Sequence, residues 1–368
     1  MANTNQIDQF RIVEQVFLSQ IRTGLHPGAQ LVVRRDGEVF FDQAAGYADN
    51  GKNFPITPET IFLTFSLTKP YTSACIFKLI EENQLDLGDK IGDFWPEFSC
   101  SGKEEMTIRQ VLLHQSGLPK TRLIYQIINS PHWNKIITDL EKQKPVFPPG
   151  TKTAYQLLNY GFILGELIER VSGSPVDKYL KENFLVPLGL NRTYMRITDF
   201  QRDQFAPLSS ATLDHQFVAW IFNTNRIRAS LLPAASLHST AREMSIFFQM
   251  LLNGGEFDGQ RYLKPETVEL MTSLGFEGYD ESLGRKTRWG YGFFLGGDHI
   301  LHPEYIDGMG KGSSIETFGH YGQRNSMVWA DRRTGTVVVF LCNRFLASDR
   351  NKSRLQQISN VIWDVIDK

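Results

Sequence analysis

The chain has 368 residues, which is long for one compact core and favours two subdomains or one domain with a large insertion. Hydrophobic residues make up 41% and charged residues 21%, an ordinary balance for a soluble globular protein, so extensive disorder is excluded. Its 39 Lys and Arg nearly balance its 40 Asp and Glu, without a long run of one sign. A nucleic-acid partner and an anionic membrane surface are therefore both disfavoured.

Each end of the chain combines a helix with a β-hairpin. Residues 5–24 place apolar side chains at helical spacing, and two strands then meet at the Asp36-Gly37 turn. Near the other end, residues 326–344 predict a second hairpin that turns at 333–335, and the chain finishes with an amphipathic helix. The two ends are thus suited to form one layered unit.

The middle of the chain shows mainly helical periodicity, with glycine at or near the end of several predicted helices. The Pro- and Gly-containing stretches at 145–150 and 273–297 are predicted to be loops. We therefore expect a sheet-containing α/β domain formed by residues 1–62 and 300–368. A helix-rich domain formed by residues 63–299 is inserted between these two parts.

The N-terminal sequence and the cysteine content bear on the cellular compartment of the protein. The opening "MANTNQIDQF" has no basic segment followed by an apolar stretch, and no run of eighteen apolar residues occurs. The three cysteines, Cys75, Cys100 and Cys342, are odd in number and widely spaced, which suits reduced thiols better than a disulfide framework. These features lead us to expect a cytoplasmic protein.

The first chemical motif is "TFSLTKPYTSA", in which Ser66 and Lys69 are separated by one helical turn. Residues three apart share a helix face, so the lysine amine is able to reach the serine hydroxyl and accept its proton when burial lowers the lysine pKa. The motif also predicts Ser66 as a helix N-cap. A structural interpretation, in which Ser66 only caps the helix and Lys69 is solvated, stays open at this point because S-x-x-K is a common pattern.

Residues 61–97 around this motif resemble the serine β-lactamase and penicillin-binding-protein superfamily. The later segments "MTIRQVLLHQSGLP", "PLGLNRTYM" and "STAREMSIFFQMLLNGG" are similar to further landmarks of that superfamily, so the resemblance covers nearly the whole chain. It implies an α+β fold, with a mainly antiparallel sheet from both chain ends plus a helical subdomain. It also implies that Ser66 is a nucleophile that forms an acyl-enzyme.

The resemblance implies a second motif that begins with tyrosine, and "PPGTKTAYQLLNYG" supplies Tyr155 as the proton-relay partner of Lys69. A tyrosine that only packs at a helix start is the alternative. Leu157 replaces the asparagine of the class C β-lactamase pattern Tyr-x-Asn. The motif instead resembles the family VIII carboxylesterases in the spacing of Tyr155, Asn159, Gly161, Gly165 and Glu166, which points to esters.

The third motif of the superfamily is matched by His320, Tyr321 and Gly322, in the His-x-Gly form of its esterase-like branches. The resemblance implies that the backbone N–H of Gln323 joins that of Ser66 in an oxyanion hole. It also implies that the substrate is contacted by the set His320, Tyr321, Gly322 and Asn159. A structural role for His320 stays open.

Other chemistries are less well supported. His299, His302 and Glu304 lack a defined metal-ligand spacing, so we expect no metal and no cofactor. There is no G-x-S-x-G elbow of the α/β-hydrolases. We predict a serine hydrolase, a carboxylesterase acting on small esters. The alternatives are a β-lactamase, a D-amino-acid peptidase and a non-catalytic scaffold that kept the fold.

Overall fold

The structure is a computed structural model and describes residues 4–49, 51, 53–120, 132–197, 204–297 and 308–367. In chain order the described strands are β1 (Gly28–Arg35), β2 (Glu38–Gly46), β3 (Phe62–Leu63), β4 (Ser209–Ser210), β5 (His238–Ser239), β6 (Glu256–Phe257), β7 (Gln260–Arg261), β8 (Phe276–Asp280), β9 (Arg285–Gly290), β10 (Phe293–Leu295), β11 (Thr317–Tyr321), β12 (Ser326–Asp331), β13 (Thr336–Cys342) and β14 (Arg344–Phe345).

The described helices are α1 (Thr4–Arg22), α2 (Thr68–Glu81), α3 (Ile91–Phe94), α4 (Ile108–Leu112), α5 (Trp133–Glu141), α6 (Asn159–Ser172), α7 (Val176–Leu180), α8 (Leu213–Phe222), α9 (Asn225–Arg228), α10 (Ala241–Leu252), α11 (Pro265–Thr272) and α12 (Ser348–Ile366). Among the residues that the structure describes, none of these helices has both the length and the apolar character needed to span a bilayer.

One large antiparallel sheet organises the molecule, in the strand order β2-β1-β13-β12-β11-β10-β9-β8. The hairpin β1-β2 comes from the start of the chain and lies beside β12-β13 from its end, which confirms the expected sheet built from both chain ends. Strand β13 is buried along its whole length, as expected for a strand that is covered on both faces.

The sheet also takes β8, β9 and β10 from a stretch that the sequence analysis assigned to the helix-rich insertion ending at 299. The loop expected over 273–297 is wrong, because these three strands occupy most of it. Their signal is weak for a physical reason. Strand β8 alternates between exposed and half-buried positions at the end of the sheet, and glycines interrupt the segment, so no continuous apolar run marks it.

Helices cover both faces of the sheet. Trp329 of β12 stacks on Trp363 of α12 at 4.4 Å between ring centroids, and Phe41 of β2 meets Phe17 of α1, so the terminal helices lie on one face. Helix α10 packs on the other face against β1, β12 and β13. Its Ser245 accepts a hydrogen bond from Arg34 of β1. Helix α2 packs against α6, α7 and α11, and the turn before it contacts β11 and β12.

Candidate active site

Ser66 lies in a single 3₁₀ turn, Phe65–Leu67, between β3 and α2. The predicted helix-capping role is wrong, since the N-cap of α2 is Leu67 and no side chain caps the helix. The chain turns sharply at Phe65, which has a φ of 50° in the left-handed region that residues with a side chain rarely adopt. Packing of its ring on Phe222 holds this conformation. The Ser66 hydroxyl is therefore not committed to a helix cap.

The side chain of Lys69 is fully buried beside Ser66. Its Nζ donates to Ser66 Oγ at 3.3 Å, to the carbonyl of Leu157 at 3.0 Å and to the carbonyl of Ala234 at 3.3 Å. Burial lowers the pKa of Lys69 well below its ordinary value, because the charged ammonium loses its hydration. The solvated lysine of the structural interpretation is excluded. A neutral amine would keep its two N–H groups for the carbonyls of Leu157 and Ala234 and direct its lone pair to the Ser66 hydroxyl, so the geometry suits an amine that accepts a proton from serine.

Tyr155 completes the group of three. Its hydroxyl hydrogen-bonds with the Ser66 side chain, and Lys69 Nζ lies 4.7 Å from the centroid of its ring. Burial raises the pKa of Tyr155, and the Asp280 carboxylate raises it further, whereas the hydrogen bond with Ser66 lowers it. The phenol is thus neutral at rest. The pKa directions favour a neutral lysine amine beside a neutral tyrosine, rather than a tyrosinate beside an ammonium.

His320 lies behind this group and does not line the cleft in front of it. It is fully buried, its ring is 6.2 Å from that of Tyr155 and 5.1 Å from that of Phe294, and its Nδ1 is 2.9 Å from both the nitrogen and the carbonyl oxygen of Tyr321. Burial lowers the pKa of His320 to about 3, and the nearby Lys69 acts in the same direction. The side chain that was predicted to contact substrate is therefore a neutral imidazole, and it lies behind the reacting group.

The rest of the third motif faces the open cleft. Tyr321, Gly322 and Gln323 line the same space as Ser66 and Tyr155. A Cβ at Gly322 would lie 2.6 Å from the carbonyl oxygen of Thr64, so only glycine lets β11 approach the turn that carries the serine. The backbone after Gly322 is thereby brought to the same cleft as Ser66, as an oxyanion hole from Ser66 and Gln323 requires.

Asn159 is not placed to contact substrate. It is fully buried at the start of α6, where its Nδ2 donates to the carbonyl of Leu118 at 3.0 Å and to Gln143 Oε1 at 3.2 Å. These bonds tie the start of α6 to the loop after α4 and to the segment after α5. Asn159 thus has hydrogen bonds of a structural kind at the first residue of α6, and it is not among the described residues that line the cleft.

The open cleft has a volume of about 370 Å³. Ser66, Tyr155 and Phe294 line it, together with the cationic side chains of Arg285, Arg324 and Lys352. Among the residues that the structure describes, no Asp or Glu lines it. The described side chains that line the cleft therefore carry a net positive charge.

Sequence reasoning missed Asp280 and Trp289. Trp289 stacks on Tyr155, and Asp280 accepts a hydrogen bond from the Tyr155 N–H. Both residues lie in the segment predicted to be a loop, so no pattern connected them with Tyr155 in advance. The available signal was the segment "RWGYG" at 288–292. Glycines beside a tryptophan indicate a strand that another part of the backbone approaches closely.

The structure bears on metal chemistry only in part. No group of three or more metal-ligating side chains occurs in the described part of the chain. His299, His302 and Glu304 lie outside it.

Two curated proteins align with most of the chain. Esterase/beta-lactamase LipL of Mycobacterium tuberculosis is 26% identical over 369 residues, which cover 92% of this chain and 82% of that protein. A protein of Escherichia coli, provisionally named a D-alanyl-D-alanine carboxypeptidase, is 23% identical over 383 residues. The alignment covers 92% of this chain and 83% of that protein.

Solved structures agree with the fold. A penicillin-binding-protein homologue from Caulobacter crescentus has a TM-score of 0.84 and 26% identity, with coverage of 97% of this chain and 98% of that one. A family VIII carboxylesterase has a TM-score of 0.83 and 26% identity, with coverage of 95% and 96%. The family model Beta-lactamase matches residues 15–360. Since this match spans nearly the whole chain, the protein belongs to the Beta-lactamase family of serine hydrolases.

Proposed function

We propose that this serine hydrolase is a cytoplasmic carboxylesterase that acts on small esters through an acyl-enzyme. The observation that carries the proposal is the group Ser66, Lys69 and Tyr155 at one end of an open cleft, with a neutral His320 in the third motif. The three cysteines are free thiols, which supports a reducing compartment. The similarity to a family VIII carboxylesterase and to an esterase/beta-lactamase supports the ester substrate.

In the proposed reaction, Ser66 Oγ attacks the ester carbonyl while its proton passes to the neutral amine of Lys69. The negative charge that develops on the carbonyl oxygen is held by the backbone N–H groups of Ser66 and Gln323. The Tyr155 hydroxyl then passes a proton to the departing alcohol, and Lys69 restores the proton on Tyr155. Water repeats the sequence on the acyl-serine and releases the acid.

Two features support esters over β-lactams. A fixed ammonium in the third motif would bind the carboxylate of a β-lactam, but His320 is neutral and buried. An asparagine amide at the third position of the tyrosine motif could orient an amide substrate, but Leu157 offers only an apolar, partly exposed side chain there. An ester needs neither group, whereas a site without such polar contacts discriminates strongly against substrates that depend on them.

We expect kcat/KM for p-nitrophenyl butyrate to exceed that for a chromogenic cephalosporin by about 100-fold or more on one preparation. The reason is the loss of the two polar contacts described above, which weakens only the β-lactam. Both rates are measured by absorbance, and the Ser66→Ala variant supplies the background. A clearly larger value for the cephalosporin would overturn the esterase assignment and favour a β-lactamase.

The cations of the cleft favour a second candidate, hydrolysis of substrates that end in a carboxylate, such as D-alanyl-D-alanine peptides. Arg324 Nη1 lies 2.8 Å from His215 Nε2, which holds the guanidinium in place. Lys352 extends from the first turns of α12 into solvent beside the cleft. A carboxylate there would gain charge-assisted hydrogen bonds, which are stronger than neutral ones.

A direct test of this candidate is release of D-alanine from diacetyl-L-lysyl-D-alanyl-D-alanine. If the cations bind the carboxylate, Arg324→Asn and Lys352→Gln each lower kcat/KM for the peptide by about tenfold. The neutral butyrate ester is affected much less because it has no charge to pair. Asparagine is chosen at 324 because the φ of 55° there is adopted more readily by asparagine than by most residues. No D-alanine release from the unmodified protein would exclude this candidate.

A further inference from the structure

We propose that His114 and Asp280 are positioning residues that together clamp Tyr155 in its place beside Ser66 and Lys69. The proposal rests on the acyl-enzyme chemistry proposed above and adds two residues to it. Neither side chain lines the cleft, so neither is offered as a group that touches the substrate. Each acts through Tyr155.

The first part of the clamp fixes the backbone. Three successive N–H groups around Tyr155 are all held by these two residues. The N–H of Ala154 donates to the carbonyl of His114 at 2.9 Å, the N–H of Tyr155 donates to Asp280 Oδ1 at 3.1 Å, and the N–H of Gln156 donates to His114 Nδ1 at 3.2 Å. These three hydrogen bonds fix the backbone position of residues 154–156 relative to His114 and Asp280.

The second part of the clamp fixes the ring. Trp289 stacks on the Tyr155 ring with 5.5 Å between centroids and 8° between planes. The indole Nε1 donates to Asp280 Oδ2 at 3.2 Å, and the His114 ring meets Trp289 edge-on at 4.5 Å. Asp280 thus uses one oxygen for the backbone of the tyrosine and the other for the side chain that orients its ring.

Both residues are held in arrangements that are costly by themselves. His114 has a φ of 61°, in the left-handed region that is uncommon for residues with a side chain. Asp280 is a fully buried carboxylate that also accepts N–H groups from Ser282 and Leu283. Burial lowers the pKa of His114, which favours a neutral ring, and the N–H of Gln156 directed at Nδ1 makes that nitrogen the acceptor. Backbone strain and a buried carboxylate next to the same side chain are typical of residues that hold a functional group in place.

The experiment compares variants that differ only in the clamp. His114→Gly removes the acceptor and relieves the backbone strain, whereas His114→Asn keeps an acceptor oxygen and tolerates the positive φ. We expect His114→Gly to lower kcat for p-nitrophenyl butyrate by about tenfold or more, with KM changed less than about threefold. His114→Asn is expected to recover most of that loss. Asp280→Asn keeps an oxygen for Tyr155 but turns an NH₂ toward Trp289, and it is expected to lower kcat in the same way.

Two further measurements separate positioning from general destabilisation. In a Tyr155→Phe background, His114→Gly and Asp280→Asn should each lower kcat by less than about twofold more, because no hydroxyl is left to position. Thr193→Ala removes buried hydrogen bonds to Ser239 and Glu243, away from the tyrosine, and it should lower the melting temperature while leaving kcat unchanged.

The outcomes are distinct from those for the proposed function. If Ser66→Ala stays active, the acyl-enzyme proposal fails, whatever the clamp variants do. If Ser66→Ala is inactive but His114→Gly and Asp280→Asn keep full kcat, the clamp alone is wrong. Full additivity of either variant with Tyr155→Phe would also overturn it. Should His114→Gly not fold, the Asp280→Asn comparison decides by itself.

Discussion

Replacing Ser66 with alanine is expected to lower kcat for p-nitrophenyl butyrate by about 10⁴-fold or more. The change removes the only atom proposed to bond to the acyl group, and with it the contact of Ser66 Oγ with Lys69 Nζ. The fold should persist, because the Ser66 hydroxyl caps no helix. Intact-mass measurement after treatment with a fluorophosphonate gives the second result: one adduct on the unmodified protein and none on the variant.

The matched control for this variant is Ser73→Ala on the same helix. Ser73 is also buried, and its Oγ donates to the carbonyl of Tyr291 at 2.5 Å. We expect the Ser73 variant to lose some stability and to keep both turnover and the fluorophosphonate adduct. Turnover that survived in Ser66→Ala, or an adduct mapped to another residue, would place the chemistry elsewhere in the protein.

The outer layers of the fold could be predicted because their patterns are regular. The two hairpins and the terminal helices have strong alternation or helical periodicity, and the structure confirms all four as β1-β2, β12-β13, α1 and α12. The end of α6 at Gly173, which has a φ of 73°, follows the same local rules. Elements of this kind are specified by short-range sequence alone.

The serine turn and the third motif depend on packing between distant segments, so sequence reasoning described their geometry only in part. The position of Ser66 is decided by Phe65, whose ring contact with Phe222 holds a left-handed backbone. His320 looked like a substrate contact, but its side chain turns toward Tyr155 and Phe294. Which face of β11 meets the cleft depends on a sheet register that no single segment encodes.

Sequence motifs identify the reacting residues more reliably than the residues that position them. Ser66 and Lys69 lie together as their spacing led us to expect, and Tyr155 lies beside them as the family resemblance implied. Asp280 reaches Tyr155 across 125 positions of the chain, and only the docking of β8 against the segment at Thr153 brings the two together. A buried carboxylate of this kind gives no local signal, because most of its partners are backbone N–H groups.

The proton relay predicts that Lys69→Ala and Tyr155→Phe each lower kcat by about 100-fold or more. Lys69 is proposed to take the serine proton, since burial keeps its pKa low and Nζ lies 3.3 Å from Ser66 Oγ. Tyr155 is proposed to pass a proton to the leaving alcohol. Because the two serve one relay, the double variant should be little worse than either single variant. The measurement is kcat for all four proteins in a double-mutant cycle.

Lys103 provides the control that separates chemistry from the burial of an amine. It too is a fully buried lysine, and its Nζ donates to the carbonyls of Cys100, Glu141 and Gln143 at 2.9, 2.9 and 2.8 Å. Lys103→Ala leaves three carbonyls without their donor, so it should lower the melting temperature while kcat is retained. Strict additivity in the cycle would contradict a shared relay. A Tyr155→Phe enzyme with normal kcat would reduce Tyr155 to a packing residue and leave Lys69 as the sole base.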